Sequence, residues 1–199
     1  MSQIILQRVA GWSALINAFV GITGFVALML FFTLGGLWGS INDSLSVIWA
    51  LSLIPLAWLF VQANRLVNPR LGTLATLVGI GAMLFFAVLQ GLLVVGVVRF
   101  EQTLGAVLTL TGVIGLWLLI SGLLARAGQT LPLGLVWAML AFGVGLLFSA
   151  VGFWLGGEEY PLTAIGFLVG VVTGFVWAAW LARLLLSGRL PVPAQTQGG

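Results

Sequence analysis

The chain has 199 residues, of which 61% are hydrophobic and only 6% charged, against about 25% charged in an ordinary soluble domain. Apolar surface on that scale cannot be hidden in a soluble fold of this size, and several runs reach the roughly 20 residues that a helix needs to cross hydrocarbon. The absence of Cys and His excludes disulfides, thiolate and imidazole catalysis, haem histidine and the usual zinc or copper ligand sets, while the net charge of +3 comes from single arginines beside apolar runs and makes no nucleic-acid patch.

The runs are continuously apolar and longer than the alternating segments of about 10 residues that build a membrane barrel, so they predict helices. Residues 10–34 make the first span, too long for a signal-peptide core of about 7 to 15 residues and therefore expected to remain uncleaved. Gly35, Gly36, Gly39, Asn42 and Asp43 predict an outer loop, flanked by Trp38 and Trp49 at headgroup level. The second span, 44–63, holds Pro55, which removes one backbone donor. Asn68, Pro69 and Arg70 link it to a third span, 72–98, whose roughly 40 Å exceeds the hydrocarbon thickness.

Arg99, Glu101, Gln102 and Thr103 form the next turn, and the fourth span, 104–125, stops at Arg126. The fifth span is 133–155. After it come Gly156, Gly157, Glu158, Glu159 and Tyr160 as a third outer turn, and Pro161 opens the sixth span, 161–186. Residues 187–199, rich in Pro, Gln and Gly, predict a disordered cytoplasmic tail. No loop is long enough to fold by itself. The fold class is thus all-α, a polytopic membrane bundle of six transmembrane helices in three antiparallel hairpins.

Six spans bring both termini to one side. Placing that side in the cytoplasm puts Arg8, Arg65, Arg70, Arg126, Arg183 and Arg189 inside and leaves only Arg99 outside, as the positive-inside rule requires. All four acids then lie outside. Asp43, Glu101 and the Glu158/Glu159 pair precede even-numbered spans, and Arg65, Arg126 and Arg183 end them, which suits the helix dipole. Asp43 or Ser44, Thr103 and Pro161 fit N-cap or N1 positions. Residues 70–91 and 132–153 share Leu-Gly and Leu-x-Phe at matching offsets, a similarity that chance readily produces in so apolar a chain.

Gly166, Gly170, Gly174, Ala178 and Ala182 recur at every fourth position, making a groove on the sixth span into which another backbone can press. The candidate partners are Ala10, Ala14 and Ala18, or Ala138, Ala141 and Gly145, or a second chain. No ionisable residue falls near the middle of a predicted span. Asn17 and Gln90 are the deepest strongly polar side chains and belong either to a polar cavity or to interhelical hydrogen bonds. Glu158, Glu159 and Tyr160 read as a wet turn at a helix start or an attraction for a cation, and Arg99 as a rim residue or a headgroup contact. Among the nine tryptophans, Trp12, Trp38, Trp49, Trp137 and Trp154 lie near predicted span ends as interfacial anchors, whereas Trp58, Trp117, Trp177 and Trp180 pack or face lipid, or else surround a cofactor.

Serine proteolysis within the membrane needs a His base, and headgroup transfer needs acidic metal-binding clusters; neither is present. Asn68-Pro69 lacks the Ala of the water-channel motif and is not duplicated, and no phosphate-binding glycine pattern occurs. In residues 161–188, Ile-Gly-Phe, the Val176-Trp177 step and Trp-Leu-Ala-Arg-Leu-Leu ending at Leu185 resemble the last span of uncharacterised six-span bacterial integral membrane proteins, a domain of unknown function. The resemblance implies a multi-pass protein of a bacterial inner membrane and carries no catalytic motif.

The expectation is a non-enzymatic structural or accessory component without cofactor, metal or nucleic acid, whose partners are membrane lipids and other membrane subunits or further copies of itself. The alternative is a small permease or channel for a neutral or lipophilic solute, with Ser52, Thr76 and Thr111 joining Asn17 and Gln90 around a weakly polar cavity.

Overall fold

The computed structural model describes residues 3–65 and 67–190. Among them are six helices and no strand: α1 (Gln3–Leu34), α2 (Leu37–Asn64), α3 (Pro69–Val94), α4 (Phe100–Ala127), α5 (Leu133–Gly156) and α6 (Pro161–Leu186). Each is long and apolar enough to cross a membrane, which makes the chain a six-helix membrane protein.

Several boundaries differ from those expected of the sequence. Helix α1 begins at Gln3, not at residue 10. The outer loop expected across residues 35–43 contracts to Gly35 and Gly36, with φ of 67° and 68°, a region closed to most side chains. Gly39, Asn42 and Asp43 are helical, so Asp43 is not an N-cap. At the other extreme α3 stops at Val94, four residues before the expected end. Gly96 turns the chain with φ of 71°, and the Val97 amide donates to the Leu92 carbonyl at 2.9 Å, which closes the helix end.

The remaining starts are locally encoded. Asn68 Oδ1 accepts from the Leu71 amide at 3.0 Å with Pro69 as the first helical residue of α3. Gln102 Oε1 accepts from the Arg99 amide at 3.1 Å and opens α4. Residues 187–190 do not begin a free tail: Leu190 is buried and its carbonyl accepts from Gln7 Nε2 at 2.7 Å. The rest of the expected tail, residues 191–199, lies outside the described residues.

Each helix packs on its neighbours in the chain, and α6 closes on α1 to complete a ring. The α2–α3 and α4–α5 contacts are comparable in extent to those of α1–α2, α3–α4 and α5–α6, so the packing does not single out the three expected hairpins. The ring has two unlike halves. At mid-depth and toward the described chain ends, Leu53, Leu56, Met83, Ile114, Trp117 and Trp177 are almost fully buried and fill the centre. Because lipid tails are as apolar as these side chains, close packing rather than burial from water holds such a bundle. The opposite half, toward the α1–α2, α3–α4 and α5–α6 turns, is hollow.

Candidate functional site

The close contacts that shape the hollow are made by glycines. A Cβ on Gly166 would strike the Ser149 amide and lie 2.8 Å from the Gly145 carbonyl oxygen, and one on Gly145 would lie 2.7 Å from Gly170 Cα. The groove on α6 therefore meets α5 backbone to backbone at Gly145. Further along, a Cβ on Gly174 would lie 2.7 Å from the Phe142 ring, and Ala178 and Ala182 are buried in the central core with Ala10 and Ala14. A second contact of the same kind escaped the sequence reading. On α4 and α5, Cβ atoms on Gly115 and Gly143 would come within 2.7 and 2.8 Å of each other's carbonyl oxygens. Its signal was the Gly-x-Gly of residues 143–145, which supplies one glycine to each neighbouring helix.

With α4, α5 and α6 drawn together in this way, the far half of the ring holds a half-open cavity of about 370 Å³ to which all six helices contribute. Phe32, Asp43 and Glu158 line it at the far face; Asn17, Trp49 and Phe142 line it near the middle of their helices. Its floor continues into the core through a chain of ring contacts, of which only Phe60–Trp177 is stacked. Trp49 lies 6.5 Å from Phe142, Phe142 lies 5.8 Å from Trp177, and Phe60 lies 6.1 Å from Trp177 and 6.2 Å from Trp117. Trp49 is thus not an interfacial anchor: with α2 starting at Leu37, its ring sits at mid-helix. Trp58 and Trp180 remain substantially exposed on the outer surface of the ring.

The polar groups of the wall fall into two sets. Asn17 Nδ2 donates to the Trp49 carbonyl at 3.0 Å and to Ser52 Oγ at 2.8 Å, and Ser52 Oγ donates to the same carbonyl at 2.7 Å. These bonds tie α1 to α2. Thr111 is also satisfied, donating to the Val107 carbonyl at 2.8 Å, the usual resort of a hydroxyl in a membrane helix.

Gln90 and Ser149 are different. Both line the cavity and both are buried, at 6% and 1% exposure, yet Gln90 Oε1 and Ser149 Oγ have no hydrogen-bond partner among the described residues. Gln90 lies only one turn from the end of α3, since that helix stops earlier than expected, and it does not bond to Asn17. An unpaired polar atom in such a place costs about 1 to 3 kcal/mol. Trp117 and Trp177 carry unpartnered Nε1 groups too, but they belong to the packed floor. No group of three or more His, Cys, Asp or Glu residues that could hold a metal occurs among the described residues.

The class of protein defined here is a six-span membrane protein with a half-open cavity, lined by aromatic rings and by a few polar residues. Comparison with known protein families, curated proteins and solved structures finds no match to this chain.

Proposed function

We propose that the chain is a non-enzymatic permease for a small neutral or lipophilic solute, which it receives in the cavity of the far half. The observation that carries this reading is the pairing of apolar walls with two buried polar lining residues, Gln90 and Ser149, whose Oε1 and Oγ have no partner among the described residues. Ligand sites have this composition: mostly apolar, with a few placed polar groups. A purely structural or accessory role draws less support, since the glycine surface that suggested it is occupied by α5 within the chain.

The orientation is part of the proposal. Six of the seven arginines lie at the helix ends and turns on the side of the described chain ends, so the positive-inside rule places that side in the cytoplasm. The cavity then opens away from the cytoplasm, and a bacterial inner membrane is the location this orientation suits. Helices are continuous around the site, so opening of the other half falls to tilting of whole helices, with α2 free to bend at Pro55.

The natural absence of Cys makes the test direct. Ser46→Cys and Thr111→Cys place single thiols on the cavity wall, and Ala57→Cys places one in the core. In sealed vesicles, a membrane-impermeant maleimide added from the far face is expected to modify the first two and spare the third. Equal, slow modification of all three would remove the cavity and the permease reading with it.

A further inference from the structure

The charges on the cavity wall narrow the solute further, on the premise that the cavity is the binding site. Asp43 and Glu158 both line it, the first from α2 and the second from the α5–α6 turn. No arginine does. Asp43 is half-buried, and its neighbour is the Asn42 amide, whose Nδ2 donates to Asp43 Oδ1 at 3.3 Å. A carboxylate drawn partly out of water without a cation beside it is costly.

The rest of the wall has the same bias. Gln90 Oε1 is an acceptor that lacks a donor among the described residues, and Ser149 Oγ is able to accept as well. Phenylalanine rings from α1, α3, α4, α5 and α6, together with Trp49, supply the apolar surface, and the faces of such rings attract cations. Acids without basic partners among the described residues, acceptors without donors there, and ring faces share one complement. We infer that the solute is a lipophilic organic cation, with its apolar body among the rings and its charge compensated by Asp43 at the mouth.

The test uses the full chain in lipid nanodiscs with Ser46→Cys as the reporter, and reads protection from maleimide. Tetraphenylphosphonium and tetraphenylborate have one shape and opposite charge, and triphenylmethanol is a neutral relative with a hydroxyl donor. Tetraphenylphosphonium is expected to protect at concentrations about tenfold or more below triphenylmethanol, with tetraphenylborate weakest. Asp43→Asn should raise the protecting concentration of the cation about tenfold and leave that of the alcohol unchanged, and Asp43→Glu should restore most of the difference.

Protection by the alcohol and the cation alike, or a cation preference untouched by Asp43→Asn, would overturn the inference while leaving a lipophilic-solute site in place. Protection by none of the three compounds would instead overturn the permease reading on which the inference rests. A lost melting transition in Asp43→Asn, with Asp43→Glu folded and no more protected by the cation than by the alcohol, would also count against it.

Discussion

Gly145 of α5 and Gly170 of α6 meet backbone to backbone, so closely that a Cβ on Gly145 would lie 2.7 Å from Gly170 Cα. The contact is asymmetric. A Cβ on Gly170 would find Leu146 Cδ2 at 3.1 Å and no backbone closer than 3.5 Å, whereas one on Gly166 would strike the Ser149 main chain. A leucine side chain can turn aside and a helix backbone cannot. Gly145→Ala and Gly166→Ala are therefore expected to destabilise the chain by about 1 to 3 kcal/mol. Gly170→Ala should stay within about 1 kcal/mol of the parent, as alanine's helix propensity offsets the small shift of Leu146. The larger Gly170→Leu joins the first group. Thermal unfolding in one detergent ranks the four, and equal losses for Gly166→Ala and Gly170→Ala would refute the backbone contact.

The number of helices was legible in the sequence because hydropathy and length alone decide it. What lies inside the ring was not. Apolar residues surround every helix, so no face is marked as the one turned inward, and Asn42 and Asp43 read as a loop although they belong to a helix bordering a hollow. The same error displaced Trp49 to the membrane surface. The small-residue groove on α6 could be read from its period, but its partner could not, since Ala14 and Gly145 offered similar surfaces and only the crossing of the helices chooses between them. Nor could the sequence say that Ser149 would be left without a partner, because most hydroxyls in these helices find a carbonyl one turn back.

Asn17 offers a measure of what polar pairing contributes here. Its amide makes two bonds to α2, and Asn17→Leu removes both while keeping a similar volume. Interhelical hydrogen bonds in membrane proteins average about 0.6 kcal/mol and reach about 1.7. The variant is expected to lose about 1 kcal/mol, as read by unfolding in mixed micelles. A loss several times larger would mean that Asn17 holds the cavity wall in shape and does more than join two helices.

Ser149→Ala should behave in the opposite sense. The hydroxyl is buried and unpartnered among the described residues, so its removal relieves a desolvation cost, and the empty chain is expected to be unchanged or more stable by up to about 1 kcal/mol. Solute binding is expected to weaken in the same variant. The two readings, a melting curve without ligand and protection of Ser46→Cys with ligand, must move apart. A fall in melting temperature without ligand would assign the hydroxyl a structural partner and remove one of the two polar groups from the binding site.

Trp177 and Trp49 test whether the cavity ends where the rings say it does. Both adjoin Phe142, but Trp177 is fully buried below the floor while Trp49 is partly exposed on the cavity wall. Removing a buried aromatic side chain leaves a void that rigid neighbours cannot close, at about 3 to 5 kcal/mol. Trp177→Ala is expected to approach that figure. Trp49→Ala, whose ring already borders empty space, should lose about half as much, since fewer contacts disappear with it. The difference also has a chemical readout. With Trp177 removed, the hollow extends toward Phe60, and a thiol at Ala57→Cys should begin to react with maleimide from the far face, which the Trp49 variant leaves unreactive. Equal losses of stability, together with an unreactive thiol in both, would place the floor elsewhere and make the chain of rings ordinary core.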